Sequence, residues 1–489
     1  MQTGRTTLAM VLSLSLAACG GGGGGGNTAA APTPTPTATG TPTPTPSSAA
    51  CTLRQRQDFA FAVIDEWYLF PDLVDRSLNP AGFATVQDYI DALVAPARAE
   101  SKDRFFTYIT SIAEEEAFFN SGSSAGFGTR LGYDTTNNRV FVIEAFETAP
   151  AFGAGFDRGT EILAIGPNAA NAQTVANLMA SGGPQAVIDA LGPSDTGVTR
   201  YFRIRSAGGT EREVTISKAD YPLDPISDRN GVQVFNDNGK SVGYVNLRTF
   251  ISTANQDLRD AFATFRSQGV TEVIVDLRYN GGGLVSTAEL FGDLLGGGNV
   301  GDIYSFTTFR DSKAQFNETK RFASQPQSIA ATKIAFIGRA GTASASELVT
   351  NAFIPYLGNN MALVGSNTFG KPVGQIALDE AACDDRMRVV AFKTENADRQ
   401  GEYFTGLASV VPNTCRAQDD IFTPLGDPNE ASISAALDFL AGRPCSPISG
   451  ESTQRTASID RVGSATFNRQ QLLQPEQPTP AQREVPGLF

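Results

Sequence analysis

Two residues able to carry out acyl-transfer chemistry each follow a predicted apolar strand. Ser344 comes after the strand 334–337 and a loop of small residues, 339–343, and Lys371 comes after the strand 361–364. Open α/β sheets hold their reactive groups at the carboxyl ends of the strands. We therefore expect both side chains at one edge of a sheet, where a Ser–Lys pair is a known variant of the serine-protease triad.

The absence of histidine limits the chemistry of this chain. Its 489 residues include none, which excludes a Ser-His-Asp triad, a Cys-His pair and any metal site with histidine ligands. A lysine can act as the base only when neutral, so burial must lower its pKa from about 10.4 toward 7–8. Phe369 and Val373 are apolar neighbours of Lys371, and Gln375 can hydrogen-bond the amine without adding charge.

Ser344 has both a structural and a catalytic interpretation. The run S-A-S-E places Glu347 three residues after Ser344, which is the pattern of a helix capping box. A serine at a helix N-terminus also lies beside the N–H of Ala345 and the positive end of the helix dipole, which could stabilise an oxyanion.

A second group of backbone donors is expected in DLRYNGGGL, residues 276–284. This buried strand ends in three glycines, which allow the backbone to approach a ligand closely. We predict that Gly282, with Gly281 as second choice, completes an oxyanion hole with Ala345. A plain tight turn is the alternative.

The pattern of apolar residues changes twice along the chain. Residues 51–120 show near-helical spacing, 121–219 read as short strands with Gly and Asn turns, and 220–445 alternate strands with helices. The last pattern is typical of a layered α/β domain. Residues 446–489 are polar and rich in Gln and Pro, and are predicted to be disordered.

The N-terminus has the features of an exported, tethered protein. Residues 1–18 form a signal peptide too short to span a bilayer. The run L-A-A-C ending at Cys19 resembles a bacterial lipobox, which implies lipidation of Cys19, and Gly20 favours the outer membrane of the cell envelope. An ordinary cleavage site is the alternative. Residues 19–50 are a Gly-, Pro- and Thr-rich tether.

The β-rich region resembles a known peptide-binding domain. AGFDRGTEILAIG, residues 154–166, is similar to a signature of bacterial PDZ domains, although Thr160 replaces the usual Asp. Gly126, Phe127 and Gly128 fall where the carboxylate-binding loop of such domains begins. The resemblance implies capture of a protein C-terminus by strand addition, and an unused groove is the alternative.

Four cysteines remain after Cys19, an even number in an exported protein. They allow three pairings, of which we favour Cys383–Cys415 and Cys51–Cys445. Buried free thiols are the alternative.

Three motifs together resemble the carboxy-terminal processing (tail-specific) serine peptidases. They are DLRYNGGGL at 276–284, GTASASELVTNAF at 341–353 and SNTFGKPVGQ at 366–375. The resemblance covers most of 51–445 and implies a multidomain protein: a helical N-terminal cap, a PDZ-like β-rich domain and a crotonase-like α/β catalytic core.

The same resemblance implies roles for individual residues. Ser344 is the expected nucleophile, Lys371 the general base and Gln375 its orienting partner. Some members use a carboxylate eleven residues after the serine, but that position is Pro355 here. Pro372 stands where glycine is usual.

The predicted function is therefore that of a serine endopeptidase that cleaves exported proteins recognised through an apolar free C-terminus. No cofactor or metal is expected, and the net charge of −13 argues against nucleic acid as a partner. A P-loop is a poor alternative for 365–371, because Pro372 replaces the residue that would hold Mg²⁺.

Two further possibilities concern binding rather than catalysis. A non-catalytic scaffold that binds C-termini would keep the groove, but the intact Ser344, Lys371 and Gln375 set argues against it. The apolar end of the chain, 484–489, resembles what a PDZ groove binds. It could occupy the groove in cis or be trimmed, and an uninvolved tail is the alternative.

Overall fold

The computed structural model of this chain describes residues 51–448, 457–459 and 467–489, with side chains for 51–448 and 471–489. The predicted signal peptide, tether and lipidation site at Cys19 lie outside these residues.

The helices and strands of the described residues are numbered in chain order. The α-helices are α1 (Leu53–Trp67), α2 (Val86–Leu93), α3 (Ala95–Ala99), α4 (Ile112–Ser121), α5 (Pro150–Gly153), α6 (Val175–Leu191), α7 (Ala254–Ser267), α8 (Val285–Leu295), α9 (Ala345–Ala352), α10 (Ile354–Leu357), α11 (Ala431–Leu440) and α12 (Pro480–Glu484). The strands are β1 (Tyr108–Ser111), β2 (Ser123–Gly126), β3 (Thr129–Asp134), β4 (Arg139–Ala145), β5 (Glu161–Gly166), β6 (Gln173–Thr174), β7 (Thr199–Arg205), β8 (Glu211–Ser217), β9 (Ala219–Pro222), β10 (Val232–Asp237), β11 (Lys240–Asn246), β12 (Glu272–Asp276), β13 (Ile303–Phe309), β14 (Glu318–Arg321), β15 (Lys333–Gly338), β16 (Met361–Gly365), β17 (Val373–Glu380), β18 (Asp385–Glu395), β19 (Thr414–Arg416), β20 (Ala457–Ile459) and β21 (Phe467–Leu472).

A six-stranded sheet carries the elements that hold Ser344 and Lys371. Its order is β10-β11-β12-β15-β16-β19, and every pairing after the antiparallel edge pair β10–β11 is parallel. The parallel register brings the ends of β12, β15 and β16 to one edge of the sheet. The glycine loop after β12, Ser344 after β15 and Lys371 after β16 therefore leave the sheet on the same side.

Both faces of this sheet are buried, which explains its near-continuous apolar strands. Alternate residues point to opposite faces: Ile334 and Phe336 pack with helices α7, α8 and α9, whereas Ala335 and Ile337 pack with α11. Helices thus cover both faces of the sheet and form a three-layer α/β arrangement with it, as the strand–helix alternation predicts.

A second, eight-stranded sheet lies in the β-rich region. Its path is β20-β21-β3-β4-β5-β7-β8, with β6 paired to β5 and all pairs antiparallel. Helix α6 contributes Val175, Leu178, Val187 and Leu191 to the apolar cluster of this sheet. The short strands β2 and β9 form a separate two-stranded pair.

The N-terminal helices pack against a third sheet rather than forming a separate bundle. That sheet has the order β1-β18-β13-β14, with β17 paired to β18. Ile64 of α1 and Ile90 of α2 share an apolar cluster with Met387 and Val389 of β18. A capping box of Thr52 with Gln55 begins α1.

The favoured disulfide pairing is wrong. All four cysteines are bonded, but as Cys51–Cys383 and Cys415–Cys445. Cys383 lies in the turn between β17 and β18, and α1 packs on β18, so this turn is next to the start of α1. Cys415 lies in β19, beside the chain that leaves α11.

The prediction of disorder for 446–489 is wrong for its last part. Residues 467–472 form a strand of the eight-stranded sheet, and Thr479 begins helix α12 with a capping box to Gln482. The side chains of Val485, Leu488 and Phe489 are buried, with at most 4% of each residue's surface exposed. Apolar residues in this polar stretch are therefore part of the folded core.

None of the helices within the described ranges is long and apolar enough to cross a membrane.

Candidate active site

Ser344 occupies a sharp turn between a strand and a helix. Its backbone has φ 55° and ψ −116°, and α9 begins at the next residue. A positive φ is strained for any residue with a Cβ, and such strain is concentrated at functional sites. A serine on a strained strand-to-helix turn is also how other hydrolases expose a nucleophilic hydroxyl. The local geometry therefore favours the catalytic interpretation of Ser344 over simple capping.

The carboxylate of Glu347 connects the serine and lysine segments. Its Oε2 accepts hydrogen bonds from the backbone N–H of Ser344 at 3.1 Å and of Lys371 at 2.7 Å. Its Oε1 accepts from the Thr368 hydroxyl at 2.6 Å and the Gly370 N–H at 2.7 Å. Because one oxygen binds both backbone nitrogens, those nitrogens are within about 6 Å of each other.

Glu347 is fully buried, and this burial raises the pKa of its carboxyl group. The four donors oppose that shift because each favours the ionised form. The sequence predicted Glu347 only as a local helix cap. Its bonds to Gly370 and Lys371 were missed, because a capping-box pattern carries no information on what a carboxylate binds beyond its own helix.

The amine of Lys371 is partly buried, between an amide and an aromatic ring. Its Nζ donates to Oε1 of Gln375 at 2.9 Å and lies 4.9 Å from the ring centroid of Phe106. Burial lowers the pKa of Lys371 from its usual 10.5. The structure therefore brings Lys371 and Gln375 together, and the direction of the pKa shift is the one that a lysine base requires.

The N-terminal region, to which the sequence assigned no chemistry, positions this lysine. The side-chain amide of Gln375 donates to the backbone oxygen of Phe106, which orients its Oε1 toward the amine. Arg104 donates to the backbone oxygens of Phe369 at 2.5 Å and Gly370 at 2.7 Å, and its guanidinium lies 4.0 Å from the Phe369 ring centroid. These contacts bridge distant parts of the chain, so no local pattern could reveal them.

The oxyanion-hole prediction needs one correction. The N–H of Gly282 donates to Oδ1 of Asn280 at 2.9 Å, so it is already used to stabilise the loop. The N–H of Gly281, the second choice, donates to the backbone oxygen of Glu484 at 2.9 Å. The N–H of Ala345 has no acceptor among the described residues. Ala345 is therefore an open donor, whereas the Gly281 N–H could bind a substrate only after the Glu484 oxygen has moved away.

Gly282 still has a structural role beside the serine. A Cβ built on Gly282 would lie 2.7 Å from the Cβ of Ser344 and 3.1 Å from the N of Ala345. Its backbone φ is 118°, which favours glycine. The glycine run therefore allows the loop to approach Ser344 more closely than any side chain would permit.

The predicted peptide-binding residues lie at the edge of β3. The N–H groups of Gly128 and Thr129 donate to the backbone oxygen of Phe489 at 2.9 and 3.0 Å. A Cβ on Gly126 would lie 3.1 Å from the carbonyl carbon of Phe489, and Phe127 shares an apolar cluster with the Phe489 side chain. We call this edge, residues 126–131, the peptide groove.

The described part of the chain contains no cluster of three or more Cys, Asp or Glu residues able to hold a metal ion.

Residues 241–401 match the family model described as Peptidase family S41. This segment contains Ser344, Lys371, Gln375 and the glycine loop. These residues therefore form a Peptidase S41 domain, the domain of a family of serine-type hydrolases.

Its relatives include two carboxyl-terminal-processing enzymes. The carboxyl-terminal-processing protease of Synechocystis sp. is 26% identical over 329 residues, which cover 66% of this chain and 70% of the relative. Carboxyl-terminal-processing peptidase 1, chloroplastic, of Arabidopsis thaliana is 27% identical over 322 residues, or 62% of this chain and 60% of the relative. A crystal structure of a Bacteroides fragilis protein assigned to the S41 proteases has a similar fold, with a TM-score of 0.60 at 22% identity, covering 78% of this chain and 97% of that one.

Proposed function

We propose that this protein is a serine endopeptidase in which Ser344 is the nucleophile, Lys371 the general base and Gln375 the residue that orients the base. The observation that carries the proposal is the shared carboxylate oxygen of Glu347, which binds the backbone N–H of both Ser344 and Lys371. It fixes the serine and lysine segments to each other. In a chain without histidine, a partly buried amine is the base that this arrangement supplies.

The proposed reaction has an acylation step and a hydrolysis step. Neutral Lys371 accepts the hydroxyl proton of Ser344 as Oγ attacks the peptide carbonyl carbon, and it returns a proton to the departing amine. The N–H groups of Gly281 and Ala345 stabilise the oxyanion. Lys371 then deprotonates a water molecule that attacks the acyl-enzyme, which releases the new C-terminus and restores the serine hydroxyl.

The proposed substrates are proteins whose C-terminal residue is apolar. The PDZ-like groove offers two convergent N–H donors, from Gly128 and Thr129, and an edge of β3 to which a substrate strand can add in place of the chain's own residues 487–489. The apolar cluster that includes Phe127 and Leu131 lies next to these donors and favours a large apolar side chain at the last position.

The proposed location is the bacterial cell envelope, with the protein anchored by a lipid on Cys19. The lipobox-like run and the Gly- and Pro-rich tether support this proposal. Mass spectrometry of the N-terminal peptide from membranes tests it: a diacylated Cys19 is expected in the wild type, and Cys19→Ala should remain unprocessed.

A digest experiment tests the peptidase proposal directly. A protein substrate ending in an apolar residue is incubated with wild type, Ser344→Ala and Lys371→Ala, and the products are identified by mass spectrometry. We expect new termini only with the wild type. The same substrate with a C-terminal Asp should be cleaved at least tenfold more slowly. Cleavage that persists in Ser344→Ala would remove this serine from the mechanism.

A further inference from the structure

The peptide groove is already occupied by the chain itself. Phe489 pairs with Thr129 through reciprocal backbone hydrogen bonds of 2.8 and 3.0 Å, and the N–H of Leu131 donates to Gly487 at 2.7 Å. The chain reaches the groove from β21, which pairs with the other half of β3. Residues 470–473 and 487–489 thus cover the edge of β3 that lies opposite β4. We call residues 473–489 the C-terminal segment.

The C-terminal segment is held by apolar burial as well as by strand pairing. Ala481, Val485 and Leu488 belong to a cluster with Phe118, Phe146 and Tyr221. Phe489 is 4% exposed and belongs to the core cluster of the eight-stranded sheet. Burial of these apolar side chains adds a hydrophobic contribution to the docking of the segment.

Between its two contacts with β3, the C-terminal segment crosses the candidate active site. The backbone oxygen of Glu484 accepts the hydrogen bond of the Gly281 N–H, one of the two proposed oxyanion donors. A Cβ on Gly281 would lie 2.7 Å from the oxygen of Arg483. On the loop before Ser344, a Cβ on Gly341 would lie 3.9 Å from Cβ of Pro486. A substrate carbonyl cannot use Gly281 while the segment is docked.

The side chain of Glu484 adds an electrostatic effect. Glu484 is buried, which raises the pKa of its carboxyl group, and Lys371 is the cation that most opposes this rise. In return, among the charged groups around Lys371, the Glu484 carboxylate is the one that most opposes the lowering of the lysine pKa by burial. The docked segment therefore favours the protonated amine, which cannot act as a base.

We propose that residues 473–489 are a built-in inhibitor that closes the peptide groove and the catalytic site at the same time. The proposal rests on the proposed peptidase function and adds its regulation. A protein C-terminus must displace Phe489 from the groove before cleavage, and displacement also withdraws Glu484 and frees Gly281. The competitor class is an apolar protein end of the kind that the groove binds.

The backbone of the segment resists cleavage. Glu484 is the last residue of helix α12, and the N–H of Val485, which belongs to the 484–485 peptide bond, donates to the oxygen of Ala481 at 2.8 Å. This peptide bond thus lies at the end of a short helix, whereas peptides recognised by strand addition are extended. The segment is therefore an inhibitor rather than a substrate.

Turnover measurements on three altered chains test the proposal. The first lacks residues 474–489. The second carries Phe489→Asp, which places a charge where the apolar Phe489 side chain is buried in the peptide groove, and the third carries Glu476→Ala. Glu476 is an exposed carboxylate of the same segment, outside the groove and the catalytic site, and serves as the matched control. A tethered ligand acts at an effective concentration of about 1 mM, so release should raise kcat/KM about tenfold or more.

The expected result is activation by the deletion and by Phe489→Asp, with Glu476→Ala equal to wild type. Phe489→Asp retains the rest of the segment, so it answers the question even if the deletion impairs folding. Unchanged kcat/KM in both the deletion and Phe489→Asp would overturn the proposal. Loss of residues 485–489 from purified wild type, but not from Ser344→Ala, would also overturn it, because the segment would then be a substrate.

A binding measurement separates failure of this inference from failure of the peptidase assignment. All chains carry Ser344→Ala, and the probe is a fluorescein-labelled peptide with the sequence of residues 484–489. We expect binding to the deleted chain and at least tenfold weaker binding to the full chain. Equal binding would refute occupancy of the groove whatever the activity. If no chain cleaves any substrate although the probe discriminates between them, the peptidase assignment fails and the inhibitor role fails with it.

Discussion

The strained backbone of Ser344 leads to a stability prediction whose sign is diagnostic. With φ 55° and ψ −116°, a residue with a Cβ costs about 1–3 kcal/mol here. Ser344→Ala keeps the Cβ and the strain, whereas Ser344→Gly removes both. Glycine loses about 0.5–1 kcal/mol through its greater freedom in the unfolded chain. The free energy of unfolding should therefore be about 1 kcal/mol higher for Ser344→Gly than for Ser344→Ala.

Ser346 provides the matched comparison two residues later. It is fully buried in the first turn of α9 and has no positive φ. In a chain carrying Ser344→Ala, Ser346→Gly should be about 1 kcal/mol less stable than Ser346→Ala, as for an ordinary helix. Urea-induced unfolding followed by circular dichroism measures both pairs without self-digestion, because both backgrounds lack the Ser344 hydroxyl. If Ser344→Gly is the less stable of its pair, the strain argument is wrong.

Three further predictions concern the proposed base Lys371, the Glu347 carboxylate beside it and the Cys51–Cys383 disulfide. Only the neutral amine of Lys371 is a base, and burial lowers its pKa from 10.5. The value of kcat/KM should therefore rise with pH and level off below pH 10.5. A flat profile from pH 6 to 9 would contradict a lysine base. Glu347→Gln should lower kcat for peptide cleavage about 100-fold by displacing the catalytic segments by about 1 Å. The matched control is Glu161→Gln, which weakens partly exposed ion pairs in the eight-stranded sheet and should leave kcat within twofold. Cys51→Ser should lower the free energy of unfolding by about 2–5 kcal/mol, and added reductant should destabilise the wild type more than this variant, which retains only the Cys415–Cys445 bond.

The elements around the site follow from local sequence. The apolar run at 334–337 lies in strand β15, the S-A-S-E pattern begins α9 after Ser344, and the glycine run follows β12. Strand periodicity and helix capping act over a few residues, so the sequence carries their signals directly. The parallel connection of β15 to β16 then brings Ser344 and Lys371 to the same edge.

The contacts that orient the site act across long stretches of chain and could not be predicted. Phe106 supports Gln375 from 269 residues away, and the Cys51–Cys383 bond spans 332 residues. Four cysteines permit three pairings, and only the packing of α1 on β18 selects one. The choice between Gly281 and Gly282 likewise depends on distant or side-chain contacts: the Asn280 side chain binds the N–H of Gly282, whereas the N–H of Gly281 binds the backbone oxygen of Glu484 in the C-terminal segment.

The surroundings of Lys371 show how a base and a nearby carboxylate can coexist. Glu347 lies beside the lysine backbone, yet its two oxygens are bonded to four N–H and O–H donors, so it holds the loop instead of pairing with the amine. The partner of the amine is an uncharged amide, Gln375, which leaves the neutral form accessible. The carboxylate that most favours the charged amine is Glu484, and it belongs to the C-terminal segment. Protonation of the base is therefore coupled to occupancy of the peptide groove, because one short segment supplies both Glu484 and Phe489.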